Sequence, residues 1–167
     1  MKKIAIICSF NTIKSKRIAQ IIADTLGSEK AELVNAEDIT TEKFMSYEKY
    51  ILSIPTWFYG ELPNYWDEFV PALEDQNLSG KTFAIYGLGD HKKYPYNFVD
   101  AIGIMAQFIE EHGGKTNGHT PNQGYTFIES KALRSDGHFW GLPLDDDNEA
   151  EKTEERLMGW LKSMKLL

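Results

Sequence analysis

A parallel α/β fold, one sheet with helices on both faces, is predicted by three features of the 167-residue sequence. Short apolar runs rich in β-branched residues alternate with stretches whose apolar residues fall at helical spacing. Gly or Pro stands at most of the boundaries between them. No internal repeat and no linker interrupts the alternation, so a single domain over residues 1–167 is expected. Strands alternating with helices run parallel, because each helix carries the chain back across one face of the sheet.

Residues 3–9 form the first strand, a run fit for burial on both faces. Residues 15–26 form a helix with Ile18, Ile22 and Leu26 on one stripe, stopped by Gly27. Residues 31–35 are the second strand and residues 50–54 the third, ended by Pro55. Pro63 opens a helix carrying Tyr65, Trp66, Phe69 and Val70. Residues 82–86 are the fourth strand, ended by Gly87-Leu88-Gly89-Asp90. Residues 98–112 form a strong helix with Phe98, Ile102, Met105 and Ile109 on one stripe. The last helix, residues 153–164, turns Leu157, Trp160, Leu161 and Met164 inward, with Thr153 as N-cap and Glu154 and Glu155 at its positive end. Between these two helices, residues 120–148 read as a strand interrupted by an inserted excursion.

Composition narrows the function classes. The net charge is −7, unevenly placed. Residues 1–35 carry six basic and three acidic side chains, whereas residues 36–75 carry nine acidic and two basic. A further acidic cluster holds Asp145, Asp146, Asp147, Glu149, Glu151, Glu154 and Glu155. This balance disfavours nucleic acid and suits either a basic protein partner or a plain solubilising surface. No apolar run approaches the roughly 18 residues of a membrane span, so no membrane insertion is expected. The single Cys8 permits no disulfide framework, and nothing near Met1 reads as a secretory signal, so the cytoplasm is the expected compartment. The four histidines have no metal spacing, and residues 145–147 lack the pattern of a calcium loop, so no metal is expected. Cys8, at a strand end, reads as a buried small hydrophobe and His91 as a surface histidine, which leaves no catalytic nucleophile.

Ligands in such sheets bind beyond the carboxyl ends of the strands, where strand order reverses. Three loops reach that edge. The first, Ser9-Phe10-Asn11-Thr12-Ile13-Lys14-Ser15, joins a buried strand to a helix start, a place where free backbone N–H groups attract phosphate. It is neither a Walker loop nor a Rossmann fingerprint, and the plainer reading is a polar connection. The second holds Thr56-Trp57-Phe58-Tyr59-Gly60, whose aromatics fit a stacking wall, a protein interface or a fold-back into the core. The third, residues 87–97, offers Gly87, Leu88, Gly89 and Asp90 for close backbone approach and Tyr94 as a second aromatic face, or else a glycine turn with a surface tyrosine. Together a phosphate cradle, two aromatic walls and close backbone donors suit flavin mononucleotide (FMN) better than other common ligands.

These residues resemble the flavodoxin family, and its long-chain branch in particular, over nearly the whole chain. The resemblance rests on Pro55-Thr56-Trp57 with Gly60-Glu61-Leu62, and on Gly89-Asp90 with Tyr94, Asn97-Phe98 and Asp100-Ala101-Ile102-Gly103. It rests also on Tyr125 with Phe127 and Glu129-Ser130-Lys131-Ala132-Leu133-Arg134, and on Gly141-Leu142, Leu144-Asp145 and Asp147-Asn148. The fold it implies is a three-layer doubly wound sandwich with a five-stranded parallel sheet of order 2-1-3-4-5, the fifth strand interrupted by the long-chain insertion. It implies that Trp57 and Tyr94 sandwich the flavin ring, that residues 9–15 hold the phosphate, and that backbone at residues 56–59 and 88–90 bonds the ring edge. Asn97 and Asp147 are implied near the ligand.

The implied function is low-potential one-electron transfer, with non-covalent FMN cycling between semiquinone and hydroquinone, by a monomer that is not an enzyme. The implied partners are redox proteins with basic docking surfaces, such as a ferredoxin/flavodoxin–NADP reductase and an electron acceptor. The rival is a flavin-dependent NAD(P)H quinone reductase. Two departures mark the first loop: Phe10 and Ile13 stand where the family has Thr and Gly. A left-handed backbone would be costly for Ile13, so a right-handed one or a shifted loop is expected, with Lys14 a candidate compensating charge. The peptide between Phe58 and Tyr59 is expected to flip on reduction, at a steric cost glycine would avoid.

Overall fold

The computed structural model describes residues 2–167. In chain order its elements are β1 (Ile4–Cys8), α1 (Lys14–Leu26), β2 (Ala31–Asn35), α2 (Thr41–Met45), β3 (Lys49–Ser53) and α3 (Asn64–Phe69). After a 3-10 turn (Val70–Leu73) come β4 (Thr82–Leu88), α4 (Asp100–Glu111), β5 (Lys115–Asn117), β6 (Thr120–Pro121), β7 (His138–Phe139), β8 (Leu142–Leu144) and α5 (Asp146–Ser163). The sheet runs β2-β1-β3-β4-β5, with β8 also paired to β4, and every pairing in it is parallel. β5 pairs with Thr82, Phe83 and Ala84, and β8 with Tyr86, Gly87 and Leu88. The outer edge is therefore one strand in two pieces, and the expected order 2-1-3-4-5 with an interrupted fifth strand is present. The excursion between the pieces carries the antiparallel pair of β6 and β7.

Alternation along the central strands builds two cores. Ala5, Ile7, Leu52, Phe83 and Ile85 face the side covered by α3 and α4, where Trp66, Ile102, Met105 and Ile109 meet them. Ile6, Cys8, Ile51, Ala84 and Tyr86 face the other side, against Ile18 and Ile22 of α1 and Leu157, Trp160 and Leu161 of α5. Side chains of a strand alternate between faces, so a strand buried on both reads as an unbroken apolar run. Each fully buried large apolar side chain here contributes roughly 1.5–3 kcal/mol.

Several boundaries differ from the sequence reading. The fourth strand continues through Leu88, because Gly87 and Leu88 pair with β8. The interrupted strand comprises Lys115–Asn117 and Leu142–Leu144 rather than starting at Thr120. α4 starts at Asp100, because Val99 has a left-handed backbone (φ 48°). α5 starts at Asp146 with Asp145 as its N-cap, whose side chain accepts from the Asn148 N–H, and a break at Glu149 (φ −141°) follows. Thr153 is thus a buried helix-interior residue, not a cap; its hydroxyl reaches Asp146. α2 was not foreseen: it has five residues and buries only Phe44, too little for a helical stripe.

The excursion is locked to α4 by a close backbone approach. A Cβ at Gly103 would lie 2.0 Å from the carbonyl oxygen of Lys131. Gly103→Ala should therefore destabilise the protein by about 2–3 kcal/mol, read as a lower urea midpoint. Gly159→Ala, at a helical site with open space around it, should instead be neutral or stabilising by up to about 1 kcal/mol.

Candidate functional site

The loops after β1, β3 and β4 meet at the carboxyl edge of the sheet. Between them lies a half-open cleft. It is lined by Lys14, Thr56, Phe58, Leu88, Gly89, Asp90, Tyr94, Asn97 and Asp147, all expected, and by Phe98, Val99 and Asp146, which sequence reading missed. The signal for the missed residues was adjacency: Phe98 and Val99 precede a helix start, and Asp146 neighbours Asp147.

In the first loop the side chains of Ser9, Asn11, Thr12 and Lys14 are already hydrogen-bonded within the protein. Ser9 is buried and its hydroxyl donates to Glu37 Oε1 at 2.9 Å; the Asn11 amide donates to Glu37 Oε2. The Thr12 hydroxyl donates to the Ser9 carbonyl at 2.7 Å. Lys14 Nζ donates to Asp147 Oδ1 at 2.8 Å, and that bond holds the lysine above its usual range. Phe10 is partly exposed beneath Lys16, and Ile13 is exposed with a right-handed backbone (φ −87°, ψ −59°). Ile13 precedes α1 without capping it, and the first turn holds no acidic residue. The first intrahelical bond runs from the Arg17 N–H to the Ile13 carbonyl. The N–H groups of Ile13, Lys14, Ser15 and Lys16 therefore lack intrahelical acceptors, as at every helix start. What this loop offers an anion is backbone.

The second loop is a tight hairpin, with N–H to carbonyl bonds running both ways between Trp57 and Glu61 at 2.9 and 2.8 Å. Gly60 turns it with φ 94°, and a Cβ there would lie 2.6 Å from Asp100 Oδ2, so no other residue fits unaltered. Phe58 also has a positive φ, 51°, although 62% exposed. Phe58 faces the cleft. Trp57 does not line it; it lines a neighbouring groove with Glu37, Ile39 and Tyr65, its ring edge-to-face with Tyr65 at 5.7 Å. Tyr59 is exposed and meets Tyr94 edge-on at 6.4 Å. The Thr56 hydroxyl accepts the Ala101 N–H at 3.0 Å, which fastens this loop to the start of α4.

In the third loop, Gly87 lies inside β4 while Leu88, Gly89 and Asp90 border the cleft. Burial pushes the Asp90 carboxyl up, but the Lys93 N–H, the Asn148 amide and the Lys92 N–H outweigh it and hold it below the usual carboxylate range. His91 is buried, not a surface residue: its N–H reaches Asp145 Oδ2 at 3.0 Å, and its Nδ1 accepts the Thr126 N–H at 2.8 Å. Nδ1 as acceptor puts the ring proton on Nε2, which lies 3.3 Å from Asp145 and 3.2 Å from Glu149. Asn97 borders the far side of the cleft and donates to Asp100 behind it at 3.4 Å; burial raises the Asp100 carboxyl against the Lys131 N–H it accepts. Burial pushes the Cys8 thiol up to about 11, so it is no nucleophile at neutral pH. Among the described residues no three His, Cys, Asp or Glu side chains are grouped to hold a metal ion.

This chain shares its sequence and fold with a known family. Residues 11–160 match the family model described as Flavodoxin. The chain is 38% identical to "Flavodoxin 1" of Escherichia coli (strain K12) over 92% of its length and 88% of that protein's. It is also 38% identical to "Flavodoxin" of Nostoc sp. (strain PCC 7120), covering 98% and 96%. The structure superimposes on Fusobacterium nucleatum flavodoxin bound to flavin mononucleotide with a TM-score of 0.91 at 27% identity, covering 99% and 98%. With the sheet order, the split edge strand and the cleft at the switch point, these likenesses establish that the chain belongs to the flavodoxin family.

Proposed function

We propose that this protein is a low-potential one-electron carrier that binds FMN non-covalently in the cleft between Tyr94 and the hairpin of residues 57–61. The observation that carries this reading is one juxtaposition. A cleft lined by Phe58, Tyr94 and Phe98 opens beside a helix start whose N–H groups no side chain caps. The flavodoxin relatives, one of them bound to FMN, support it. FMN, when bound, supplies the redox chemistry, alternating between its half-reduced and fully reduced states.

The residues fit that group. The first turn of α1 presents backbone N–H groups and the positive end of its dipole to a phosphate. Backbone at Thr56, Leu88, Gly89 and Asp90 stands close enough to the cleft to bond a planar ring edge. Tyr94 forms one wall. For the other, Trp57 replaces Phe58 when the ring enters. Phe58 is exposed and held at a positive φ that costs an L-residue roughly 1–2 kcal/mol, so it is the residue that gives way. Trp57 lies in the adjoining groove, edge-to-face with Tyr65. Asp90, Asp146 and Asp147 line the cleft with Lys14 as the one cation among them, and a negative, half-enclosed surround disfavours additional negative charge on the ligand. That favours a strongly reducing final step. With both ring faces covered, a nicotinamide has no face to stack on. The acidic residues around the cleft suit a basic docking surface on a redox partner.

The purified protein should be yellow with bound flavin. Mixed with NADPH and a quinone, it should not turn over until a flavoprotein reductase is added; rapid turnover alone would exclude a pure carrier. In titrations followed by quenching of FMN fluorescence, Trp57→Ala and Tyr94→Ala should each weaken binding about tenfold or more, as loss of a stacking partner predicts. Phe58→Ala should change it less than about threefold. Weak binding by Phe58→Ala with normal binding by Trp57→Ala would show that the hairpin keeps its present arrangement around the ring.

A further inference from the structure

We propose that Glu37 acts as an internal anion on the phosphate loop, bonding the side chains a phosphate would recruit and lowering the affinity of this chain for FMN. The inference rests on the FMN reading and adds a residue that sets cofactor affinity. Glu37 lies just beyond β2, and local bonds fix its place. The Ala36 N–H donates to the Cys8 carbonyl at 2.9 Å, and the Glu37 N–H donates to Asn35 Oδ1 at 3.2 Å. The same Asn35 oxygen accepts the Phe10 N–H at 3.2 Å, so the turn after β2 and the loop after β1 share one acceptor. From there both oxygens of Glu37 reach into the loop, Oε1 to the Ser9 hydroxyl and Oε2 to the Asn11 amide. A carboxylate that takes two donors from a loop with an uncapped helix start occupies the role of an anion.

No side-chain cation pairs with that carboxylate among the described residues. Lys14 is engaged by Asp147 and Arg17 by Asp146, and among the described residues no ion pair includes Glu37. Lys16 stands over the Phe10 ring. A phosphate settling on the first turn of α1 must then either share the loop with a carboxylate or displace it from Ser9 and Asn11. Both routes cost affinity: the first by like-charge repulsion, the second by breaking two hydrogen bonds before two are made.

The test uses the full chain stripped of flavin and two probes, FMN and riboflavin, which lacks the phosphate. Glu37→Gln should bind FMN about tenfold tighter than the native chain, with riboflavin affinity unchanged. Glu37→Ala should behave the same way, and Glu42→Gln, which removes one charge elsewhere on the same acidic surface, should bind FMN as the native chain does. The inference is overturned if Glu37→Gln and Glu37→Ala bind FMN no tighter than the native chain, or if riboflavin tightens in step with FMN. If the native chain binds FMN while the variants match it, the internal-anion role alone falls. If neither native chain nor variants bind either flavin, the FMN reading falls and the role with it.

Discussion

A buried carboxylate holds the functional edge of this fold together. Asp145 is fully buried and uses both oxygens: Oδ1 accepts the Asn148 N–H at 3.0 Å, and Oδ2 accepts the His91 N–H at 3.0 Å and the Asn148 amide at 2.8 Å. It thereby caps α5 and at the same time anchors the loop after β4, which carries Tyr94. A buried charge is tolerated only when its oxygens are bonded, because an unmet one costs several kcal/mol. The same need explains His91, whose Nδ1 takes the Thr126 N–H and so ties the inserted excursion to the loop. The insertion, the cleft and α5 are thus one bonded unit.

The cleft is also where the backbone is strained. Among the described residues three other than glycine have positive φ, and two of them, Phe58 and Val99, line it. For a β-branched residue such a conformation is a true outlier, tolerated when its surroundings over-determine it. Val99 is buried, and the hydroxyl of Thr56 takes the N–H of Ala101 just beyond it, so the fold imposes its conformation. Phe58 has no such enclosure. One strained residue is enclosed by the fold and the other stands exposed at the mouth of the cleft.

How much of this was legible in the sequence depends on the kind of constraint. β1, β3 and β4 were legible because burial on both faces writes an unbroken apolar run, as in Ile4–Cys8. α4 was legible from its stripe, but its true start was not, because Val99 lies in a conformation that no propensity favours. Thr153 looked like a cap because local rules see Thr followed by two Glu; Asp145 won because it is buried and bonded through tertiary partners. His91 looked like a surface residue for the same reason, its burial depending on residues 35 and 54 positions away. The cleft residues were largely legible because loops at one sheet edge must converge. Their facing was not: Trp57 and Phe58 are neighbours in a hairpin, and only the turn geometry at Gly60 decides which points inward.

The electrostatics of the site follow from the same economy of donors. Phosphate loops that bind strongly combine free side-chain hydroxyls with close-approaching backbone. In this chain Phe10 and Ile13 remove one hydroxyl and one glycine, Thr12 turns its hydroxyl on its own backbone, and Ser9 and Asn11 are taken by Glu37. Lys14 answers Asp147 rather than an incoming ligand. On the proposed reading, an anion would find the N–H groups at the start of α1 and the Ser15 hydroxyl, and retention of the cofactor would shift toward the ring walls. A carrier built this way concentrates its binding energy on the part of the ligand that exchanges electrons.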